Sequence, residues 1–360
     1  MIFKTLRVSG FRNLADAEIN TAGKDIFLVG ENGQGKTNFL EALYFCSYAS
    51  SFRGAPDKEL VRGGEKSCVA HACFAASLYD EVLIKIDNGR KSVFLNAKRL
   101  DDRRDLLSVV PCVVFCHEDM DFVAGTPEQR RWFFDQSQSL YDPLYLDDLR
   151  KYRKLLKTRN AILKTGNAQT ILDALDPQLA WYGLRLMERR AEAAACFSSI
   201  FSTLFNEVSG IEHITVCYTP SWKDSSEAQV LASLRRQLEP DMASGATLSG
   251  PHRDRYRFFR GNDEFSERAS TGQRRLLALL LRVAQARRFH DTTGKNPVLL
   301  LDDVLLELDG EKRRRFLEVM PEYDQAFYTF LPEEPYRRYI KPNTLVYHLR
   351  DGVFTPSPVA

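Results

Sequence analysis

The chain has 360 residues, of which 44% are hydrophobic and 27% charged, a composition typical of a folded globular protein with one or two domains. Its 50 basic and 48 acidic residues give a net charge of only +2, so any nucleic acid would have to bind through local basic patches. No apolar run approaches the ~20 residues of a membrane span, the N-terminus lacks an apolar signal core, and the cysteines form no CxxC pair. We therefore expect a cytoplasmic protein with reduced thiols and no membrane partner.

The spacing of apolar residues predicts an α/β domain that is interrupted by helices. In the first part of the chain, strands are predicted at 1–11, 25–30, 68–78, 81–87, 91–100 and 111–116, and a helix at 36–50. A 3.6-residue period then predicts helices at 127–164 and 173–210. Further on, strands are predicted at 213–220, 255–265, 297–303, 325–330 and 343–349, and a long helix at 272–289. The predicted organisation is an α/β lobe of residues 1–117 and 245–360 with an inserted helical lobe of residues 118–244.

The strongest motif is GENGQGKT at residues 30–37, which follows an apolar strand and precedes an apolar-faced helix. In this pattern the glycines let main-chain N–H groups surround phosphate oxygens at the positively polarised start of a helix. Lys36 is predicted to reach the β- and γ-phosphates and Thr37 to bind Mg²⁺, so ATP and Mg²⁺ are the expected cofactors. The predicted nucleotide-binding residues of this loop are Gly30, Glu31, Asn32, Gly33, Gln34, Gly35, Lys36, Thr37 and Asn38.

A second part of the nucleotide site is predicted at PVLLLDD, residues 297–303, where an apolar strand ends in two carboxylates. Asp302 is expected to hold Mg²⁺ through water, and Asp303 to be the general base that orients the attacking water. The predicted catalytic residues are therefore Lys36, Asp302 and Asp303, and the predicted metal ligands are Thr37 and Asp302. Because the two motifs lie near opposite ends of the chain, the helical block is predicted to be an insertion in one nucleotide-binding domain.

The segment ASTGQRRLLALLLRVAQA, residues 269–286, places small polar residues at the start of a long helix shortly before the aspartates. In position and composition it resembles the signature motif of ABC-type ATPases. There, Ser and Gly at a helix N-terminus bind the γ-phosphate that a second subunit holds. Ser270, Gly272 and Gln273 match the Ser-x-Gly-Gln part of that motif. The alternative for Ser270 is an ordinary helix cap.

Several motifs follow one another in the order found in the RecF family of bacterial recombinational repair proteins, which this chain resembles. They are GFRNL, VGENGQGKTNFLEALYF, SFRG, GTPEQRRWFFD, LSGPHRDRY and LLLDDVLLELD, and they span residues 10–309. The resemblance implies an ABC-type P-loop ATPase head with an inserted second lobe and no long coiled coil. It also implies an ATP-dependent homodimer that binds DNA at single-strand and duplex gap junctions and is a weak, DNA-stimulated ATPase. In the family, RecR and RecO are partners in loading RecA at such gaps and at stalled forks.

Three other classes of P-loop protein are alternatives. An ABC transporter motor carries a switch histidine after the strand that follows the aspartates, and no histidine lies between His290 and His348. An SMC-type structural protein needs a far longer coiled-coil insertion, and the insertion here contains Pro143, Pro177 and Pro220, which are predicted to break it. A small-molecule kinase would not need the signature helix.

Two further positions near the nucleotide are suggested by resemblance to ABC ATPases. Arg12 and Asn13 in GFRNL are expected near the phosphates, the alternative being a solvated turn. The strand at 111–116 precedes the place where such ATPases carry a glutamine loop, but no glutamine occurs before Gln129. His117 and Glu118 are the two candidates for that role.

Two other groups of residues have competing interpretations. The triplet at 252–254, His-Arg-Asp, is interpreted either as part of a functional interface or as a structural polar cluster. The aromatic residues at 132–134 are predicted to be core residues of the helical lobe rather than a platform for stacking bases.

A basic stripe is predicted in RKYRKLLKTR, residues 150–159, because cations recur at helical spacing along one face. The candidate DNA-binding residues are Arg150, Lys151, Arg153, Lys154 and Lys157. No base-reading motif is present, so binding is expected to be directed to the backbone and independent of sequence. The alternative is a solvated basic helix without a ligand.

Overall fold

The structure is a computed structural model that describes residues 2–75, 78–165, 169–305 and 308–357. Contacts between residues divide the chain into two compact units. Unit 1 comprises Met1–Asp119 and Gln285–Ala360, and unit 2 comprises Met120–Ala284. No helix in the described ranges is long and apolar enough to cross a membrane.

Unit 1 is built on two six-stranded sheets. The first is antiparallel, in the order β2-β1-β4-β5-β6-β7. Its strands are β1 (Ile2–Ser9), β2 (Ala17–Asn20), β4 (Ser67–Ala75), β5 (Glu81–Asp87), β6 (Arg90–Leu95) and β7 (Lys98–Arg99). The second has the order β15-β14-β3-β13-β12-β8 and is parallel except for β15. Its strands are β3 (Asp25–Val29), β8 (Cys112–Phe115), β12 (Val298–Leu301), β13 (Ala326–Phe330), β14 (Thr344–Arg350) and β15 (Val353–Pro356).

Helix α1 (Lys36–Tyr48) is the central packing element of unit 1. It contacts strands of both sheets, which explains why residues on all its sides are buried, among them Phe39, Leu40 and Leu43. The central strands of the parallel sheet are apolar without alternation, since both of their faces are covered. Two further helices, α2 (Asp57–Leu60) and α11 (Gly310–Glu318), lie in this unit.

Unit 2 is mainly helical and also contains a three-stranded antiparallel sheet in the order β11-β10-β9. The helices are α3 (Asp121–Ala124), α4 (Pro127–Ser139), α5 (Pro143–Thr165), α6 (Gln169–Ser209), α7 (Glu227–Arg236), α8 (Leu238–Ser244) and α9 (Phe265–Arg268), followed by α10 (Thr271–Thr293), whose last residues belong to unit 1. The strands are β9 (Ile214–Thr219), β10 (Arg255–Arg260) and β11 (Asp263–Glu264). The α5–α6 pair is the principal helical contact in this unit.

The structure differs from the sequence analysis in three places. Residues 245–284, which were expected in the ATPase lobe, pack in unit 2 because β10 pairs along its length with β9. Pro177 does not break a helix as predicted: it lies inside α6, whose next turn is anchored by the buried Leu179 and Ala180. Pro143, by contrast, lies at a break between helices as predicted: α4 ends at Ser139 and Pro143 begins α5, where its missing N–H has no intrahelical partner to lose. The short strands β2 and β15 were not predicted.

A buried ion cluster around Arg190 of α6 holds unit 2 together. Its guanidinium contacts both carboxylate oxygens of Asp135 from α4, at 2.8 and 3.0 Å. It also donates to Asp254 Oδ2 at 2.8 Å and to the Pro251 carbonyl at 2.6 Å. Burial alone would lower the pKa of Arg190, but Asp135 and its other partners hold that pKa above its ordinary value. The cluster therefore ties two helices to the 251–254 segment.

The 252–254 triplet takes part in this packing at two of its positions. His252 Nδ1 forms a hydrogen bond of 2.8 Å with the Tyr152 hydroxyl. On the other side of the ring, Nε2 lies 2.8 Å from the Thr247 carbonyl oxygen. A carbonyl only accepts, so Nε2 carries the proton and Nδ1 accepts from Tyr152. Burial lowers the pKa of His252 to about 4, which keeps the ring neutral. Asp254 is buried and Arg253 is exposed, so the structure gives His252 and Asp254 a bracing role.

We expect Arg190→Met to destabilise unit 2 strongly, since it removes the counter-ion of the buried Asp254 and leaves Asp135 with the exposed Arg153. The expected loss is about 3–5 kcal/mol in the free energy of unfolding, measured by urea denaturation. The neighbouring Arg189→Met is the control, because Arg189 lies 3.4 Å or more from its carboxylates and is 21% exposed. That variant should lose less than about 1 kcal/mol. Equal losses in the two variants would contradict the importance of the cluster.

Candidate nucleotide site

The loop of residues 30–35 connects the central strand β3 to the start of α1. Its shape depends on glycine at two positions. Gly35 has φ of 107°, a conformation that side chains disfavour, and a Cβ on Gly30 would lie 2.6 Å from the Leu349 carbonyl oxygen. The sequence therefore places the loop where main-chain N–H groups and the helix start face a common cavity.

The cavity beside this loop has a volume of about 260 Å³. It is lined by Glu31, Asn32, Gly33, Gly35, Lys36, Thr37, Asn38, Arg53 and Asp303. Lys36 is only 4% exposed, and its Nζ donates to the carbonyl oxygens of Gly30 at 2.6 Å and Glu31 at 3.3 Å. In the part of the chain that the structure describes, no carboxylate lies within ion-pair distance of this ammonium. A buried cation without a counter-ion suits an anionic ligand.

Hydrogen bonds of the Asn13 and Gln34 side chains fix the position of the loop. Asn13 donates from Nδ2 to the Gly33 carbonyl at 2.8 Å and accepts from Asn38 Nδ2 at 2.7 Å. The Asp351 N–H donates to the side-chain oxygen of Gln34 at 2.5 Å, and the Gly352 N–H donates to the main-chain carbonyl of Gln34 at 3.1 Å. Asn13 thus supports the loop directly, whereas its predicted contact with a nucleotide stays a prediction.

Thr37 and Asp302 meet at the carboxyl edge of the parallel sheet, although they are distant in sequence. The Thr37 hydroxyl donates to Asp302 Oδ1 at 2.9 Å. Burial raises the pKa of Asp302 to about 7, and the charges of Asp303 and Glu118 act in the same direction, while the bond from Thr37 opposes them. A divalent cation at these oxygens would relieve the crowding of negative charge.

Asp303 faces the same cavity in an unusual backbone conformation, with φ of 52°. Its N–H donates to Thr329 Oγ1 at 2.7 Å, and the Thr329 hydroxyl donates back to Asp303 Oδ1 at 2.7 Å. Thr329 lies on β13, between the strands that carry the phosphate loop and the aspartates. This exchange fixes the carboxylate and leaves Oδ2 for a further partner. Sequence reasoning missed Thr329, since only strand order brings it to Asp303.

The residues present fit ATP and Mg²⁺. The loop offers N–H groups and one uncompensated ammonium for phosphate oxygens. The hydroxyl of Thr37 and the carboxylate of Asp302 are oxygen donors of the kind that Mg²⁺ prefers. The predicted catalytic, metal-binding and loop residues of unit 1 are therefore brought together at one edge of the sheet.

A buried acid, Glu41 of α1, organises the neighbouring arginines. Arg12 contacts both of its carboxylate oxygens, at 2.9 and 3.1 Å, and Arg53 also pairs with it. Burial alone would raise the pKa of Glu41, but the hydrogen bonds from Arg53, Arg12 and Ser51 hold it below its ordinary value. Arg53 donates to Asn38 Oδ1 at 2.6 Å and lines the cavity, while Arg12 faces Glu41. Contact of Arg12 with phosphate stays a prediction, and Arg53 is a cavity residue that sequence reasoning left without a role.

Of the two candidates for the glutamine-loop position, Glu118 is the one whose charge acts on Asp302. Glu118 is exposed and lies in a single 3₁₀ turn, His117–Met120, directly after β8. That turn is fixed by Asp119, which is fully buried and accepts from the Cys116 N–H at 3.0 Å. The position is consistent with a group that senses charge at the metal site.

The signature residues lie at the start of α10 in unit 2. The Ser270 N–H donates to Gln273 Oε1 at 2.9 Å, and the Gln273 N–H donates to Ser270 Oγ at 3.3 Å. Ser270 therefore does cap the helix, as the alternative interpretation required. Ser270 and Gly272 are nevertheless exposed, and a Cβ on Gly272 would meet no heavy atom within 4 Å. The helix start is open to a ligand or to another molecule, and its role at a nucleotide stays a prediction.

The predicted basic stripe is exposed along α5 of unit 2. Each of its five cations is solvent-accessible, namely Arg150, Lys151, Arg153, Lys154 and Lys157. The neighbouring Arg159 is different, because it is fully buried and paired with Asp176 and Asp241 at 2.9 and 2.6 Å. The stripe is thus exposed to solvent, and DNA binding there stays a prediction.

Comparisons with protein families and with individual proteins point to the same family. Residues 2–351 match the family described as RecF/RecN/SMC N terminal domain. The chain is 44% identical over 344 residues to the DNA replication and repair protein RecF of Treponema pallidum (strain Nichols), covering 95% of this chain and 97% of that protein. It is 32% identical over 367 residues to the protein of the same name from Leptospira interrogans, covering 99% of this chain and 100% of the relative.

Solved structures agree with these relatives. The recombination mediator protein RecF-ATP of the RecFOR pathway superposes with a TM-score of 0.90 at 27% identity, over 99% of this chain and 97% of that one. An Smc head bound to the C-winged helix domain of ScpA superposes with a TM-score of 0.56 at 17% identity, over 99% of this chain and 97% of the other, a likeness of fold alone. The predicted fold, an ABC-type P-loop ATPase head with an inserted lobe and no long coiled coil, is confirmed.

Proposed function

Because the chain belongs to the RecF family of DNA replication and repair proteins, we propose that it is an ATP-driven switch that acts on DNA. Two copies close upon each other when each has bound ATP and Mg²⁺. Hydrolysis then separates the copies and releases the DNA. The chain is a weak ATPase that DNA stimulates, and slow hydrolysis sets how long the dimer stays on the DNA.

One observation supports this proposal: Lys36, Thr37 and Asp303 line one cavity in unit 1, where Thr37 is hydrogen-bonded to Asp302, and the signature residues are exposed in unit 2. Lys36, Asp302 and Asp303 contribute to the site in unit 1. Ser270 and Gly272 provide the second motif, as exposed residues at the start of a long helix that Ser270 caps. We infer that the second motif serves the nucleotide held by the partner copy in a closed dimer.

The geometry of the site supports a separate role for each of these residues. Lys36 and the loop N–H groups bind and orient the phosphates, and Thr37 with Asp302 would hold Mg²⁺, which would supply charge neutralisation at the phosphates. Asp303 holds a water through Oδ2, the oxygen that Thr329 leaves free, and accepts the proton of that water as it attacks. The aspartate side chain is one methylene shorter than glutamate, which is consistent with slow hydrolysis.

The partners follow from family membership and from charge. A related structure is described as part of the RecFOR pathway, so we infer RecR and RecO as partners and loading of RecA at single-strand gaps as the outcome. The basic stripe on α5 supports binding to DNA through phosphates, independent of sequence. The cysteines are free, and Cys46, Cys68, Cys112 and Cys116 are buried, which supports a reducing, cytoplasmic location.

Asp303→Asn tests the proposal. The amide can hold a water but cannot accept its proton, so hydrolysis should fall by roughly 10²–10⁴-fold, the usual contribution of a general base. The variant should accumulate as an ATP-bound dimer in size-exclusion chromatography with light scattering.

The exposed acid of the 87–90 hairpin supplies the control, and Asp87→Asn should behave as wild type. If Asp303→Asn remained monomeric with ATP and Mg²⁺ while the wild type dimerised, both the general base and the closed dimer would have to be abandoned.

A further inference from the structure

Unit 2 contains a second polar cavity, with a volume of about 360 Å³, that the nucleotide site does not use. Four arginines reach it: Arg131, Arg153, Arg190 and Arg253. Leu149 and Leu156 provide apolar wall, and Trp132 adds an aromatic ring. We call this cavity the arginine pocket. All of its residues lie in Met120–Ala284, so its shape depends on this unit alone.

The charges of the arginine pocket are not balanced. Asp135 is neutralised by Arg190 and also contacts Arg153 at 3.2 Å, which leaves Glu128 as the remaining acid of the pocket. Arg131 donates to a main-chain carbonyl, that of Asp254, at 2.8 Å.

Among the described residues, no carboxylate lies within 4.0 Å of the Arg131 guanidinium. Burial and the neighbouring charge of Arg190 lower the pKa of Arg131, whereas the more distant carboxylates of Asp135, Asp254 and Glu128 act in the opposite direction. A half-buried cation of this kind is stabilised by an anion from outside the chain.

Trp132 gives the pocket a platform for a planar group. It is 42% exposed, in contrast to its neighbours Phe133 and Phe134, which are buried as predicted for core residues. Its ring stacks on Phe122, with centroids 5.8 Å apart and planes inclined by 27°. The indole is thus packed against Phe122, and Trp132 lines the pocket while remaining partly exposed. The prediction that residues 132–134 are all core residues is wrong for Trp132.

The arginine pocket continues into the basic stripe. Arg153 belongs to both, since it lines the pocket and stands on α5 between Arg150 and Lys157. Cations at positions 150, 153, 154 and 157 share one helix face and extend over roughly 10 Å of its axis. A cationic track that ends in an aromatic, cation-lined pocket is the arrangement by which proteins bind single-stranded nucleic acid.

We propose that the arginine pocket binds one unpaired nucleotide of single-stranded DNA, with its base on Trp132 and its phosphate at Arg131 and Arg253, while the α5 stripe neutralises the adjacent phosphates. This inference rests on the proposed DNA-binding function and adds where and how a single strand is held. An acidic peptide would satisfy the arginines but would make no use of the aromatic platform or of the row of cations. Stacking on Trp132 requires a base face that is covered in a duplex, so the proposal predicts tighter binding of single strands than of duplexes.

The first test replaces the platform. Trp132→Ala in the full chain should weaken binding of an oligo-dT, measured by fluorescence anisotropy, by at least about fivefold, since base stacking on an aromatic ring contributes that much or more. Binding of a blunt duplex should change by less than about twofold. Trp181→Ala is the matched control, because Trp181 is 44% exposed in the same unit but lies outside the pocket. It should leave both affinities within about twofold of wild type.

The second test replaces the charge. Arg253→Glu should weaken oligo-dT binding more than Arg255→Glu does and should flatten its dependence on salt, as expected when a phosphate contact is lost. Arg255 is exposed two residues away and does not line the pocket, so it reports the general effect of charge reversal. Trp132→Phe, which keeps a stacking ring, should retain most of the binding, and circular dichroism checks that every variant is folded.

Several outcomes would overturn the inference. Unchanged oligo-dT affinity in both Trp132→Ala and Arg253→Glu would do so, as would equal losses in the matched controls. If poly-glutamate, but not oligo-dT, protected the fluorescence of Trp132 from quenching by acrylamide, the pocket would be a binding site for an acidic protein and not for DNA. If the wild-type chain bound no DNA at all, the DNA-binding part of the proposed function would fail as well. A separate measurement of ATP-driven dimerisation distinguishes failure of the pocket proposal, which leaves dimerisation intact, from failure of the proposed function.

Discussion

Lys36→Arg is expected to abolish ATP hydrolysis while the chain still folds and binds ATP. The buried ammonium of Lys36 fits between the Gly30 and Glu31 carbonyls, and the planar guanidinium is bulkier and presents its donors in a different geometry. The positive charge remains, so affinity for ATP should be largely kept. Turnover should fall by at least about 10²-fold, as when a preorganised group that stabilises the transition state is lost.

Release of phosphate and binding of a fluorescent ATP analogue measure the two effects separately. Lys91→Arg is the control, because Lys91 is another lysine of unit 1 with a low exposure, 15% of its side chain. It is bonded to the Ala49 carbonyl and to Asp57 and lies outside the cavity. That variant should hydrolyse ATP at the wild-type rate. Wild-type turnover by Lys36→Arg would show that the phosphate loop has been assigned to the wrong residues.

Ser270→Arg is expected to prevent ATP-driven dimerisation and to leave binding of ATP to the monomer intact. In the proposed dimer this serine meets the γ-phosphate that the partner copy holds, and a long side chain would obstruct closure. The residue lies in unit 2, whereas the phosphate loop lies in unit 1, so primary affinity should change little. DNA-stimulated hydrolysis and ATP-dependent retention of DNA should be lost together with the dimer.

The substitution also removes a helix cap, which by itself costs about 1 kcal/mol. Ser226→Arg separates the two effects, since Ser226 caps α7 in the same unit with the same reciprocal bonds, here to Gln229. Both variants should melt slightly earlier than wild type. Only Ser270→Arg should fail to dimerise in light-scattering measurements with ATP and Mg²⁺. Normal dimerisation of that variant would reduce Ser270 to a helix cap.

The nucleotide site could be predicted well where its residues are contiguous in sequence. The loop of residues 30–37 is a complete local motif, and its strand and helix were recognisable from apolar spacing. The pairing of Thr37 with Asp302 could also be inferred, because a metal site next to a phosphate loop requires an acid at the end of a neighbouring strand. These features depend on local chemistry more than on topology.

Other features of the site depend on topology and were missed. Thr329 reaches Asp303 only because β13 lies beside β12 in the sheet. Arg53 lines the cavity and is paired with Glu41, the fully buried single acid of α1. That lone acid was the one signal in the sequence that could have indicated a buried ion pair.

The helical unit was less predictable, since long-range packing overrides local rules there. Pro177 is tolerated inside α6 because buried neighbours hold the helix in place despite a missing hydrogen bond. The 252–254 triplet resembled a functional cluster, yet His252 and Asp254 are bound to Tyr152 and Arg190 from α5 and α6. Trp132 was expected in the core together with Phe133 and Phe134, but it is 42% exposed.

Sedimentation velocity tests the central claim, an ATP-driven dimer, most directly. The chain is compared with ATP and Mg²⁺, with ADP and Mg²⁺, and without nucleotide, each with and without single-stranded DNA. We predict monomers without nucleotide and with ADP, and dimers with ATP that co-sediment with the DNA. A chain that stays monomeric with ATP, or that dimerises equally in the absence of nucleotide, would contradict the proposal that ATP operates the switch.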